Sequence, residues 1–276
     1  MIQPDNLTDY EKIQVAGIEA WKNVEPGVVS KAFDFAAYPA TWLLQKTIPG
    51  EAIHRILTAA NWLAHEITDM GDILNEGGVC KICDLKNKNL LLSDEIANRI
   101  HNSAIGIAAA EGGATGAAGI FGLVADIPAI ITLSLRTIHK IGLCYGYECC
   151  SEMEKNFVLG ILSASSANSM SEKIAALTTL SSIQVAIAKQ TWKKVMGETT
   201  AVQELSKGGS MIAARSLAKQ LGVNITKRKA LQVIPVFGAG IGASVNGWYI
   251  KDVGWAARRI FQERWLIENQ KIRNGG

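Results

Sequence analysis

Three carboxylates carry the residue types best suited to chemistry. Glu111 and Asp126 are the two charged residues of the apolar stretch 104–135, and Glu154 follows shortly after it. A charge in an apolar segment must be paired, hydrated or neutralised, because uncompensated burial is expensive. Two readings follow. Glu111, Asp126 and Glu154 could together form a catalytic or metal site, since oxygen ligands suit hard cations and metal-assisted hydrolysis. Alternatively, the charges form ion pairs that hold helices in register. Asp126 with Arg136 is then the first candidate pair, and Lys227, Arg228 or Arg258 are further partners for the acids.

Cysteine chemistry is less specific. Cys80 and Cys83 form a C-x-x-C, and Cys144, Cys149 and Cys150 lie far downstream. A zinc site would use Cys80 and Cys83 as one half and the region of Cys149 as the other. No second C-x-x-C recurs, so reduced thiols are the plainer reading. The four histidines, His54, His65, His101 and His139, build no H-E-x-x-H. No G-x-S-x-G or P-loop motif is present, so no nucleotide or other cofactor is expected.

A basic cluster offers a different kind of site. Lys227, Arg228 and Lys229 directly precede a run of 21 uncharged residues, 230–250, and Arg258 and Arg259 follow it. Trp248 and Tyr249 lie at the end of that run. Cations flanking an apolar segment attract anionic headgroups at about 1 kcal/mol per charge, and tryptophan and tyrosine favour the interface. This predicts that residues 227–265 bind a membrane surface, preferentially an anionic one. The formal net charge of +3 gives no reason to expect nucleic acid.

The elements that position these groups read as helices. Charged residues make up 19% and hydrophobic ones 48%, and the mean hydropathy is +0.14. Alternation typical of strands is scarce, whereas 3.6-residue periodicity marks 50–74, 152–194 and 253–269. Helices are also expected over 7–25 and 28–44, with a loop over 75–93. Ser93 or Asp94 reads as the cap of the next helix. Pro128 should break the first glycine-rich stretch into a hairpin, because proline disfavours helical geometry in the residue before it. Gly146 should end the return helix in the left-handed conformation. The second glycine-rich run, opened by Pro235, reads as another bent hairpin. Glycine in a helix costs roughly 1 kcal/mol against alanine, a cost offset where backbones approach closely. The expected architecture is therefore all-α, a multi-helix bundle in which two glycine-rich apolar hairpins pack together. Residues 1–92 form an N-terminal helical region and 93–276 the helical core.

Two long strings and one short one are familiar. EGGATGAAGIFGLVADIPAIITLSLRTIHKIGLCYGYE, MEKNFVLGILSAS and LGVNITKRKALQVIPVFGAGIGASVNGWYIKDVGWAARRIFQERWL occur in that order. Together they resemble the EcsC protein family over about 94–266. The resemblance implies a mostly helical, bacterial-type protein. The family takes its name from a protein encoded beside an ABC transporter, which implies a membrane-protein partner as one further reading. No basic n-region and apolar h-region open the sequence, so a signal peptide is not expected. The expected location is cytoplasmic, peripheral or partly inserted at the inner face of the cell membrane. The leading expectation is a membrane-associated helical protein that binds lipid. The alternatives are a helical hydrolase, metal-dependent in one form, and a partner module for a membrane transporter.

Overall fold

The computed structural model describes residues 6–26, 50–116, 119–195 and 238–273. Among these there are eight α-helices, one short 3-10 helix and no strand. α1 is Asp9–Asn23, α2 is Gly50–Glu66 and α3 is Gly71–Gly77. The 3-10 turn Ile82–Asn87 follows. α4 is Leu90–Gly116, α5 is Gly119–Cys144 and α6 is Glu152–Ser165. α7 is Met170–Val195 and α8 is Gly238–Glu268. The helix expected over 28–44 lies outside the described residues.

Local chemistry sets several ends. Thr8 and Glu11 form a capping box on α1, the Thr8 hydroxyl accepting from the Glu11 N–H and the Glu11 carboxylate from the Thr8 N–H. Ser151 and Glu154 do the same for α6. α5 closes as expected at Gly146, whose φ is +87°. There Tyr147 N–H donates to Gly142 C=O at 2.9 Å and Gly146 N–H to Leu143 C=O at 2.9 Å, the Schellman pattern.

Two expectations are corrected. α4 begins at Leu90, and the Asn89 side chain accepts from the Leu92 N–H at 2.8 Å. Ser93 and Asp94 therefore sit inside the helix, both fully buried, and the boundary at 92/93 falls in its first turn. Nor does Pro128 break the chain, since it lies within α5. Proline in a helix interior costs about 3 kcal/mol. The buried stripe Ile130, Ile131, Leu133, Leu135 and Ile138 supplies more than that on the same helix. The first glycine-rich stretch is thus divided between α4, which ends at Gly116, and α5, which begins at Gly119. The second glycine-rich run continues unbroken, over its described part, into the expected C-terminal amphipathic helix.

α4 and α8 form the central pair, and α5 packs on both. α2 covers α5, α6 joins α7 and α8, and α1 lies on α8. α8 buries Tyr249, Ile250, Val253, Ala256, Ala257, Ile260, Phe261 and Trp265, a stripe with helical spacing. The two glycine-rich stretches meet at Gly247, where a Cβ would lie 3.5 Å from Ala109 Cβ. Two turns on, a Cβ at Gly254 would run into the His101 ring.

Candidate functional site

The residues singled out in the sequence scatter. Glu111 is exposed on α4. Glu154 caps α6 and pairs with Arg264 at 3.5 Å. Asp126 and Arg136 lie ten residues apart on the unbroken α5, a rise of about 15 Å, whereas pairs along one helix need a spacing of three or four. Asp126's side-chain surroundings lie outside the described residues, as do Lys227, Arg228 and Lys229. Cys80 and Cys83 are exposed free thiols, while Cys149 is buried with its thiol pushed up to about 12 by burial. No three His, Cys, Asp or Glu side chains among the described residues are arranged to hold a metal ion.

The C-terminal aromatic and basic residues sit in the bundle rather than at an open surface. Tyr249 is buried, and its hydroxyl meets Ser166 Oγ at 2.9 Å. Arg258 is buried and donates to Asn98 Oδ1 at 2.8 Å. It stacks with Arg259 over the Trp255 ring, 4.5 and 5.1 Å from its centre. Arg259 also donates to Gln14 and Gln262 at 2.9 and 3.0 Å. Trp248 is partly buried. These groups serve a polar core built around Asp94. Tyr10 and Gln262 donate to its carboxylate at 2.6 and 2.7 Å, and Tyr145 donates to it as well.

A cleft between α4 and α5 combines charge with apolar wall. Its volume is about 310 Å³. Arg99, Ile100, Ser103, Ala104 and Ile107 come from α4, and Leu133, Arg136, Thr137 and Lys140 from α5; Asp72 of α3 completes the lining. On α4 the order is Arg99, Ser103, Ile107; on the antiparallel α5 it is Lys140, Arg136, Leu133. The cleft is therefore cationic where it adjoins α3 and apolar toward the Gly116 end of α4. Lys140 Nζ contacts Asp72 Oδ2 at 2.8 Å, and Arg99 pairs with Glu76. Partial burial works to raise the Asp72 carboxyl; Lys140 outweighs it and holds the group below its usual range. Arg136 has no carboxylate partner among the described residues. Of these residues the sequence reading had singled out Arg136 alone. The signal for Arg99 and Lys140 was weak, since isolated cations on amphipathic helices are usually solvated.

A second, smaller cavity of about 70 Å³ is lined by His65, His139, Leu143, Glu148 and Cys150 among others. Cys150 Sγ lies 3.5 Å from His65 Nε2, and His139 Nε2 lies 2.9 Å from Asn61 Oδ1. Burial, then Glu148, pushes the Cys150 thiol upward. That keeps it protonated near neutrality, the opposite of an activated nucleophile.

The fold and cleft define a class: an all-α protein with a central helix pair and an amphipathic cleft on one flank. The chain belongs to the EcsC protein family, whose pattern matches residues 12–266. It is similar to the uncharacterized protein YdbA of Bacillus subtilis (strain 168), 27% identical over 190 residues. That match covers 68% of this chain and 63% of YdbA, so the chain spans less than two thirds of that relative. It is also similar to Protein EcsC of the same organism, 25% identical over 219 residues, covering 79% of this chain and 81% of EcsC. No solved structure matches it.

Proposed function

We propose that this is a membrane-associated protein that holds an anionic lipid in the α4–α5 cleft, at the inner face of the cell membrane. One observation carries the reading. Arg99 and Lys140 stand at one end of a cleft whose other end is Ile107 and Leu133, and Arg136 lies between them. An anionic amphiphile has that same polarity. Ile107 is 43% exposed at the apolar end, which leaves oily surface there for a chain to cover. No helix of the described residues is long and apolar enough to cross a membrane. The attachment proposed is therefore peripheral, by charge and partial chain burial. Tyr249 and Arg258 are committed to the core, and Lys227, Arg228 and Lys229 lie outside the described residues, so the contact proposed here is the cleft between α4 and α5 rather than 227–265.

The hydrolase alternative has no matching observation, since Glu154 is engaged by the α6 cap and Arg264. Vesicle flotation tests the lipid reading. The protein should float with phosphatidylglycerol vesicles and not with phosphatidylcholine ones. Binding should fall as salt rises, since screening shortens to about 3 Å at 1 M. The double variant Arg136→Gln, Lys140→Gln should lose most of it, each charge contributing about 1 kcal/mol. Equal flotation of wild type and variant would refute the cleft as the contact.

A further inference from the structure

Two of the three cations in the cleft are already occupied by the protein's own acids. Asp72 takes Lys140 of α5, and Glu76 takes Arg99 of α4. Both acids come from α3 and stand four residues apart, hence on one face of that helix. α3 thus reaches across the cleft mouth with one carboxylate for each wall. Ile73 and Gly77 are buried, Leu85 lies against Gly77, and Leu74 packs partly against the core, while Gly71, Asp72, Asn75 and Glu76 are exposed. A helix of seven residues is marginal by itself. It ends at Gly78, whose φ of +57° favours glycine.

We infer that α3 is an internal anionic cap on the cleft: Asp72 and Glu76 hold the places of an incoming acid headgroup, which binds by displacing them from Lys140 and Arg99. This deepens the lipid reading and rests on it. Arg136, without an acid of its own among the described residues, makes the first contact. Geometry also orients the ligand. From Arg99 to Ile107 α4 rises about 12 Å, and from Lys140 to Leu133 α5 rises about 10 Å. The headgroup lies at the α3 end, and the chain runs toward the Gly116 end of α4. A volume of about 310 Å³ stands at the small end of ligand sites. It suits one acyl chain rather than two, so the ligand class is a single-chain anionic amphiphile or one chain of a phospholipid.

The test is calorimetric titration of the full chain with monomeric dodecyl phosphate, with inorganic phosphate and dodecanol as separate arms. Dodecyl phosphate should bind, and Arg136→Gln should weaken it at least about tenfold, the worth of a charge-assisted contact. The cap makes the opposite prediction for its own residues. Asp72→Asn with Glu76→Gln should tighten binding about three- to tenfold, the worth of two partly exposed ion pairs. Both substitutions are near-isosteric, and the helical circular dichroism signal monitors folding. If the double variant binds no tighter while Arg136→Gln still weakens binding, the cap is refuted and the cleft stands. If dodecyl phosphate does not bind, or binds no better than inorganic phosphate or dodecanol, the amphiphile reading falls and takes the cap with it.

Discussion

Asp94 is the most heavily committed acid of the described core. Its carboxylate accepts from two phenols and one amide that come from α1, the end of α5 and α8. Those donors lie 84, 51 and 168 residues away in sequence, so the role was invisible in Ser93-Asp94-Glu95, which reads locally as a helix cap. Asp94→Ala leaves three donors without an acceptor and should cost about 3–5 kcal/mol. Tyr10→Phe should cost about 1 kcal/mol, since it removes one bond at a part-buried site; urea unfolding midpoints check both. Two buried histidines set an acid limit. Burial pushes His101 and His139 down from 6.5 to about 4, helped by Arg258 at the first and His65 at the second. Above pH 6.5 neither state holds the proton. Between 6.5 and 4 the unfolded chain binds protons that the folded one refuses, so stability falls as pH falls through that window. Melting temperature should drop across it, and His139→Gln, which can still donate to Asn61, should flatten the decline. An unchanged slope in the variant would show that the proton uptake lies elsewhere.

At the scale of elements, the glycines of α8 do two different jobs. Gly254 faces the His101 ring, which is fixed by the Lys251 carbonyl at 3.0 Å and by the Trp255 ring edge. The ring cannot retreat, so Gly254→Ala should destabilise by about 1–3 kcal/mol. At Gly247 the nearest atom to a new Cβ is 3.5 Å away, an ordinary contact. Gly247→Ala should therefore be neutral, or stabilise by up to about 1 kcal/mol through helix propensity. Equal effects in thermal melts would contradict this division. The small-residue spacing in the sequence signalled close approach but not which glycine makes it. Pro128 teaches the same lesson in reverse. Its local preference is to break α5, and the buried residues that follow it override that preference.

For the molecule as a whole, the lipid reading makes a direct prediction. A protein attached through the cations of a partly filled cleft should leave membranes in a carbonate wash and in high salt. Retention after both treatments would mean that a glycine-rich segment inserts, and would overturn the peripheral attachment. The cleft itself lies between α4, which contributes Arg99, and α5, which contributes Lys140. Neither cation stood out in the sequence, because their meaning depends on an antiparallel neighbour.

Helix content, the Gly146 stop and family membership were all legible from the chain alone. Each rests on interactions within a few residues, or on strings long enough to match directly. What the tertiary structure decided was which distant groups share a space. It joined Asp94 to Tyr10, Tyr145 and Gln262, tied Arg258 to Asn98, and set Asp72 and Glu76 against Lys140 and Arg99. Those pairings follow from how whole helices pack, a cooperative outcome of many small apolar contacts. No single residue's type or spacing encodes it.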